Sequence, residues 1–198
     1  MIPETFLALL ALAVATLFTP GPNNAMLAAS GANFGFRPTL PHLFGVALGF
    51  PLMLLIVGLS LGGLFQSSAI LREGLRWGGA ALLLWIAWKV ATSGGIGSNG
   101  AAARPMRFLQ AVGFQWINPK AWSMAVAATS QFIRPDAAVL TASLVAGTFL
   151  TLGLCSASTW TWGGQAIARW LTSDRHLRVF NLIMAGLIVA SVAGLVRG

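Results

Sequence analysis

The 198-residue chain is poor in acid, with four Asp and Glu against twelve Lys and Arg. Those four, Glu4, Glu73, Asp136 and Asp174, fall near the ends of apolar runs. No carboxylate is therefore placed deep inside a run to carry a proton or neutralise a cation. The one cysteine, Cys155, excludes an intrachain disulfide and a cysteine metal cluster; it is expected to be a packing residue. His42 and His176 are the only histidines, and with one distant cysteine they fall short of a metal site. Both lie near the boundaries of apolar runs, which makes His42 an expected interfacial residue. No Walker-type loop occurs, and the one Gly-x-Ser-x-Gly spacing, Gly58-Leu59-Ser60-Leu61-Gly62, lies inside an apolar run and not at a strand-to-helix turn where a nucleophile elbow would sit. The expectation is a protein that is not an enzyme and holds no cofactor or metal.

What the chain has is apolar length. Hydrophobic residues make up 57% and charged residues 8%, with a mean hydropathy of +0.79. This is the composition of an integral membrane protein. The net charge of +8 does not imply a nucleic-acid partner, because the basic residues are scattered at the ends of apolar runs, where they act as topology signals. Runs of about twenty apolar residues read as spans give roughly 5–32, 40–65, 70–91, 108–133, 138–166 and 177–196. Met1 to Leu17 carries Glu4 and no basic n-region, so the first segment is expected to be retained.

The connector from Thr92 to Arg107, rich in Gly, Ser and Ala, divides the chain into a first set of three spans (about 1–91) and a second (about 108–198). The prediction is an all-α membrane protein, a single transporter domain over 1–198. Its six transmembrane helices form two inverted three-helix repeats. With both termini outside, Arg37, Lys89, Arg104, Arg107, Arg169, Arg175 and Arg178 fall on the inner side, and Arg72, Arg76, Arg134 and Arg197 on the outer. That bias favours the N-out, C-out arrangement.

Two helix-breaking motifs sit inside the apolar segments. Thr19-Pro20-Gly21-Pro22-Asn23-Asn24 interrupts the first predicted helix and Asn118-Pro119-Lys120 the fourth. Pro20 and Pro119 are 99 positions apart (119 minus 20), half the 198-residue length. Proline removes a backbone donor, so in lipid such a break persists where neighbouring helices or a polar cavity satisfy the freed carbonyls. Paired breaks at matching places in two halves point to a transporter's central site. Each restarted helix presents free amides and partial positive charge that attract a carboxylate. Gly21 allows unusual backbone geometry, and Asn23 and Asn24 add donors and acceptors. Lys120 lies about 18 Å into its segment at 1.5 Å per residue, too deep to reach the headgroups. A lysine at that depth needs a partner. The expectation is that it lines a wet cavity and meets a substrate carboxylate.

Glycines recur four apart, as Gly31/Gly35, Gly45/Gly49, Gly58/Gly62 and Gly74/Gly78, which lets helices approach closely and permits a homodimer without requiring one. Gly45 and Gly49, following the first break within one hairpin, are expected to line the path. Trp85 and Trp88 beside Lys89, and Trp160, Trp162 and Trp170 near Arg169, form an expected interfacial belt. Trp116 and Trp122 bracket the second break, and Trp116 is a candidate for the cavity wall.

The stretch from Thr19 through Ala25-Met26 to Gly31, with Gly35-Phe36-Arg37 and Gly45-x-x-x-Gly49, resembles the N-terminal signature of the LysE/RhtB family of bacterial amino-acid exporters. Asn118-Pro119-Lys120 is similar to that family's second motif, and the likeness covers essentially the whole chain. Trp85-Ile86-Ala87-Trp88-Lys89 through Ser93 looks like the branch that exports cysteine and O-acetylserine. The resemblance implies efflux of small amino acids across the bacterial inner membrane, driven by an ion gradient without ATP. The expected coupling ion is the proton, carried by Lys120 or the substrate's amine. The site residues are then Pro20, Gly21, Pro22, Asn23, Asn24, Gly45, Gly49, Trp116, Asn118, Pro119 and Lys120. The alternatives are an exporter of a homoserine lactone, a basic amino acid or a xenobiotic, and a passive channel or accessory membrane subunit.

Overall fold

A computed structural model describes residues 3–61, 68–92, 104–170 and 173–197. Eight α-helices account for most of them: α1 (Pro3–Phe18), α2 (Pro22–Phe34), α3 (Phe36–Ile56), α4 (Ala69–Ala91), α5 (Phe108–Gln115), α6 (Pro119–Phe132), α7 (Ala138–Ala168) and α8 (Asp174–Arg197). The six predicted segments recur, the first and fourth each divided at its proline motif. The second runs from α3 into a π turn, Val57–Leu61; Gly62 and the remainder of that segment lie outside the described residues. So do 93–103 of the predicted linker, including Ser93.

The breaks have local causes. Pro22 and Pro119 each occupy the first turn of the restarted helix, where the missing N–H is not needed and the fixed φ suits the helix. Gly35 separates α2 from α3 with φ of +85°, a region that a side chain resists, and its N–H closes α2 on the Gly31 carbonyl at 2.9 Å.

By length and apolar composition, three helices can cross a membrane: Phe36–Ser60, Pro135–Ala168 and Asp174–Val192. The α1–α2 pair, bent by 51°, makes a fourth if taken as one span. This is fewer than the six expected. α4 is 23 residues long but carries Glu73, Arg76 and Lys89, and α5 and α6 are only 8 and 14 residues long on either side of the second break.

Contacts between the halves dominate. α7 packs along both α2 and α3, α4 along α8, and α3 along α5. One apolar cluster joins α2, α4 and α8 through Ala25, Leu83 and Ile188. Another joins α1, α3, α6 and α7 through Leu9, Met53, Ala125 and Phe149. The Phe50 and Phe149 rings meet edge to face at 5.4 Å.

The closest crossing is α2 on α7. A Cβ on Gly31 would stand 2.1 Å from the Thr161 carbonyl oxygen, and one on Gly164 would stand 2.0 Å from that of Ala28. Gly58 is likewise pressed against Ile133, but among the described residues Gly74 and Gly78 have nothing within 4 Å, so the α4 pair makes no packing seam with them. Three more expectations are corrected. Cys155 is exposed on α7, on the face that Thr151, Thr159 and Trp162 share at helical spacing, turned away from the bundle. His42 is buried at 2% exposure because both flanks of α3 are covered. Trp160 is partly buried against two apolar clusters. Trp85, Trp88, Trp162 and Trp170 are exposed as a belt requires, and the Lys89 ammonium stands 5.5 Å and 5.6 Å from the rings of Trp85 and Trp88.

Candidate functional site

At the first break, α1 ends with carbonyls that have no helical donor, and polar side chains supply the missing bonds. Asn24 Nδ2 donates to the Leu17 carbonyl at 2.7 Å and to that of Thr19 at 2.8 Å. Ser156 Oγ, from α7, donates to Leu17 at 2.7 Å. Lys120 Nζ donates to the Thr19 carbonyl at 3.1 Å, to Thr19 Oγ1 at 2.9 Å and to the Pro20 carbonyl at 3.4 Å. The partner that a deep lysine needs is thus the first break itself.

Gly21 is extended, with φ of 179°, which any residue adopts. Its lack of a side chain matters for another reason: a Cβ there would stand 2.9 Å from both Cδ and Nζ of Lys120. The lysine stem lies across the glycine. Gly21→Val is expected to fold but to expel the ammonium from its oxygens. Losing a charge-assisted hydrogen bond costs about 1.5–3 kcal/mol, so the unfolding midpoint in detergent should fall; an unchanged midpoint would contradict this account of the glycine.

The second break is organised differently. Asn118 is 2% exposed, and its side chain accepts from the Lys120 backbone N–H at 3.1 Å, capping α6. The start of α2 has no side-chain cap. Of the two restarted helices, α2 is therefore the one with amides open to an anion.

A reciprocal amide pair ties the breaks together. Asn23 Nδ2 donates to Gln115 Oε1 at 2.8 Å, and Gln115 Nε2 donates to Asn23 Oδ1 at 3.3 Å and to the Ala111 carbonyl at 2.9 Å. Gln115 is fully buried at the end of α5.

Between the breaks lies a cavity of about 40 Å³, above the 10–15 Å³ that one water needs, so it can be wet where polar side chains line it. Thr16, Asn23, Asn24, Asn118, Lys120 and Ser156 supply the polar part of its lining, and Val46, Phe50, Met124, Phe149 and Ala157 an apolar part. Among the described residues, Lys120 is the only charged one of the lining.

Of the expected site residues, the cavity gathers Gly21, Asn23, Asn24, Asn118 and Lys120, with Pro20, Pro22 and Pro119 shaping the breaks around them. Gly45 and Gly49 do not line it. A Cβ on Gly45 would meet the Phe108 carbonyl oxygen at 2.5 Å, and one on Gly49 would meet Val112 Cα at 2.9 Å, so the room beside them is filled by α5. Trp116 also stands outside, packed edge to face on Trp122 at 6.0 Å and accepting from Trp122 Nε1 through its carbonyl at 2.9 Å. Gln115 and Ser156 are additions. Gln115, a polar residue three positions before Asn118, carried a signal in the sequence; Ser156 carried none, since only the packing of α7 brings it to Leu17.

A bent apolar bundle with two helix breaks meeting at a partly polar cavity has the form of a membrane transport protein. The sequence matches the family of the LysE type translocator over residues 14–196. The chain belongs to the LysE family, and it is a transporter, not an enzyme. It is similar to the cysteine/O-acetylserine efflux protein of Escherichia coli (strain K12), 32% identical over 196 residues, or 96% of each chain. The protein of the same description from Salmonella typhimurium is 34% identical over 177 residues, 88% of each chain, and that from Shigella flexneri 33% over 181 residues, 88% of each. No solved structure matches.

Proposed function

We propose that the chain exports small neutral amino acids or their derivatives, of the cysteine and O-acetylserine kind, from the bacterial cytoplasm. The observation that carries this reading is the cluster of polar groups at the two breaks in the cavity lining. One cation, a row of break carbonyls and an uncapped helix start lie together there, complementary to both charges of a zwitterion. The apolar part of the lining suits a short side chain. A basic amino acid is disfavoured because no carboxylate of the described residues lines the cavity. The names of the similar efflux proteins support the same substrate class.

In this reading α1–α2, α3 and α4 form one three-helix half, and α5–α6, α7 and α8 the other, inverted in the inner membrane with both termini outside. Rocking of the halves about the cavity alternates access. Two features favour it: counterpart helices meet, α3 with α7 and α4 with α8, and α2 docks far more extensively on α7 than its counterpart α6 does on α3. A two-fold related pair with unequal docking has a second arrangement available, in which the tight contact moves to the other half. A proton gradient drives the cycle.

Proteoliposomes holding the purified protein test the function. Labelled cysteine or O-acetylserine is expected to leave them saturably and to show counterflow against unlabelled substrate, with lysine excluded. Efflux that does not saturate would replace the carrier by a pore. No efflux of cysteine, O-acetylserine or threonine from folded protein would overturn the reading.

A further inference from the structure

Lys120 is held as an ammonium by an ammonium-shaped site. Its three N–H donors meet three acceptors, the Thr19 carbonyl at 3.1 Å, Thr19 Oγ1 at 2.9 Å and the Pro20 carbonyl at 3.4 Å. The oxygens belong to the α1–α2 connection and the ammonium to α6, 101 and 100 positions away in sequence. The Thr19 carbonyl does not depend on the lysine alone. Asn24 independently holds the carbonyls of Leu17 and Thr19 at 2.7 Å and 2.8 Å, so the break keeps its form when the lysine leaves. The lysine is free to leave, because its stem lies over a glycine and ends in rotatable bonds.

We infer that the Thr19 and Pro20 oxygens are a primary-ammonium site in which Lys120 resides until a zwitterionic substrate displaces it. The substrate's α-ammonium takes the three oxygens, and the released Lys120 ammonium takes the substrate's carboxylate. The inference rests on the exporter reading and names what that site selects.

Charge explains the selection. Before the exchange the cavity holds one cation; after it, the lysine and a neutral zwitterion, so the net charge is unchanged. A simple amine would put two cations into one partly apolar cavity with no anion between them. A carboxylic acid without an amine would draw the lysine away and leave the oxygens without their donor. Only a molecule carrying both groups compensates both partners, and no acidic side chain is needed. This accounts for a transport cavity with a single charged residue.

The probe is methylammonium, which has the donors of a primary ammonium, set against tetramethylammonium, which has none. In full-length protein reconstituted in nanodiscs, methylammonium is expected to raise the unfolding midpoint of Lys120→Met and to leave wild type unmoved, because the lysine already fills the site. Tetramethylammonium should move neither. Equal response of the two proteins to methylammonium, or no response in the variant, would overturn the inference, and this readout does not depend on any amino acid being transported. If the variant fails to fold, wild type decides. The methyl ester and the N-acetyl derivative of the exported amino acid should each inhibit its efflux about tenfold more weakly than the parent zwitterion, the loss of one charge-assisted pairing; an ester as potent as the zwitterion would overturn the displacement.

Discussion

Gly164→Leu is expected to leave no folded protein in a detergent extract. The Cβ alone would stand 2.0 Å from the Ala28 carbonyl oxygen and 2.7 Å from its carbon, and both atoms are backbone of α2. Neither can move aside as a flexible side chain can. Gly31 faces the Thr161 carbonyl in the same way one turn along, so the α2–α7 crossing is locked at two points. Overpacking costs about 1–3 kcal/mol even where side chains can adjust; parting two backbones along their most extensive contact costs more, and a protein of ordinary marginal stability does not survive it. Gly74→Leu supplies the control. With nothing within 4 Å, that variant should elute as wild type does on size exclusion and unfold at the same temperature. A folded Gly164→Leu, or an unfolded Gly74→Leu, would contradict this packing.

The second large effect is on transport. Gln115→Leu is expected to lower efflux about tenfold, the rate equivalent of roughly 1.4 kcal/mol. The variant strips Asn23 of its partner across the two breaks, and a polar group left unpaired in the interior costs about 1–3 kcal/mol. Asn23→Leu should lose a similar amount for the mirror-image reason. In the double variant the two leucines can pack together, so stability should return most of the way while efflux stays low. The four unfolding midpoints then yield a favourable coupling between positions 23 and 115. Additive losses of stability would mean that the pair does not join the breaks, and full efflux in the double variant would remove the amides from the transport path.

Local features carried much of the architecture. Most starts and ends of the segments were readable to within a turn because apolar runs, prolines and caps act within a turn or two of themselves; the end of the second lies outside the described residues. Pro22 and Pro119 restart their helices where the motifs predicted. What misled was spacing read without partners. Gly45 and Gly49 look like open space along a path until α5 is laid over them, and Gly74/Gly78 repeats the same spacing with no partner at all. Trp116 lies at cavity depth but turns to Trp122. Gly21 looked like a backbone necessity and is instead a slot for a lysine from the other half.

The amino-acid sequence by itself determined that this chain is a membrane bundle, that two of its helices are broken, and that a lysine sits at the depth of the second break. Each of these follows from composition or from the covalent geometry of proline, which needs no knowledge of neighbours. Only the tertiary structure decided where that lysine goes. Thr19 and Lys120 are 101 positions apart, Asn23 and Gln115 are 92, and Ser156 is 139 from Leu17. Freed carbonyls in an apolar bundle accept whichever donor packing delivers, and packing depends on shape summed over all the helices at once, a property that no stretch of the chain carries alone.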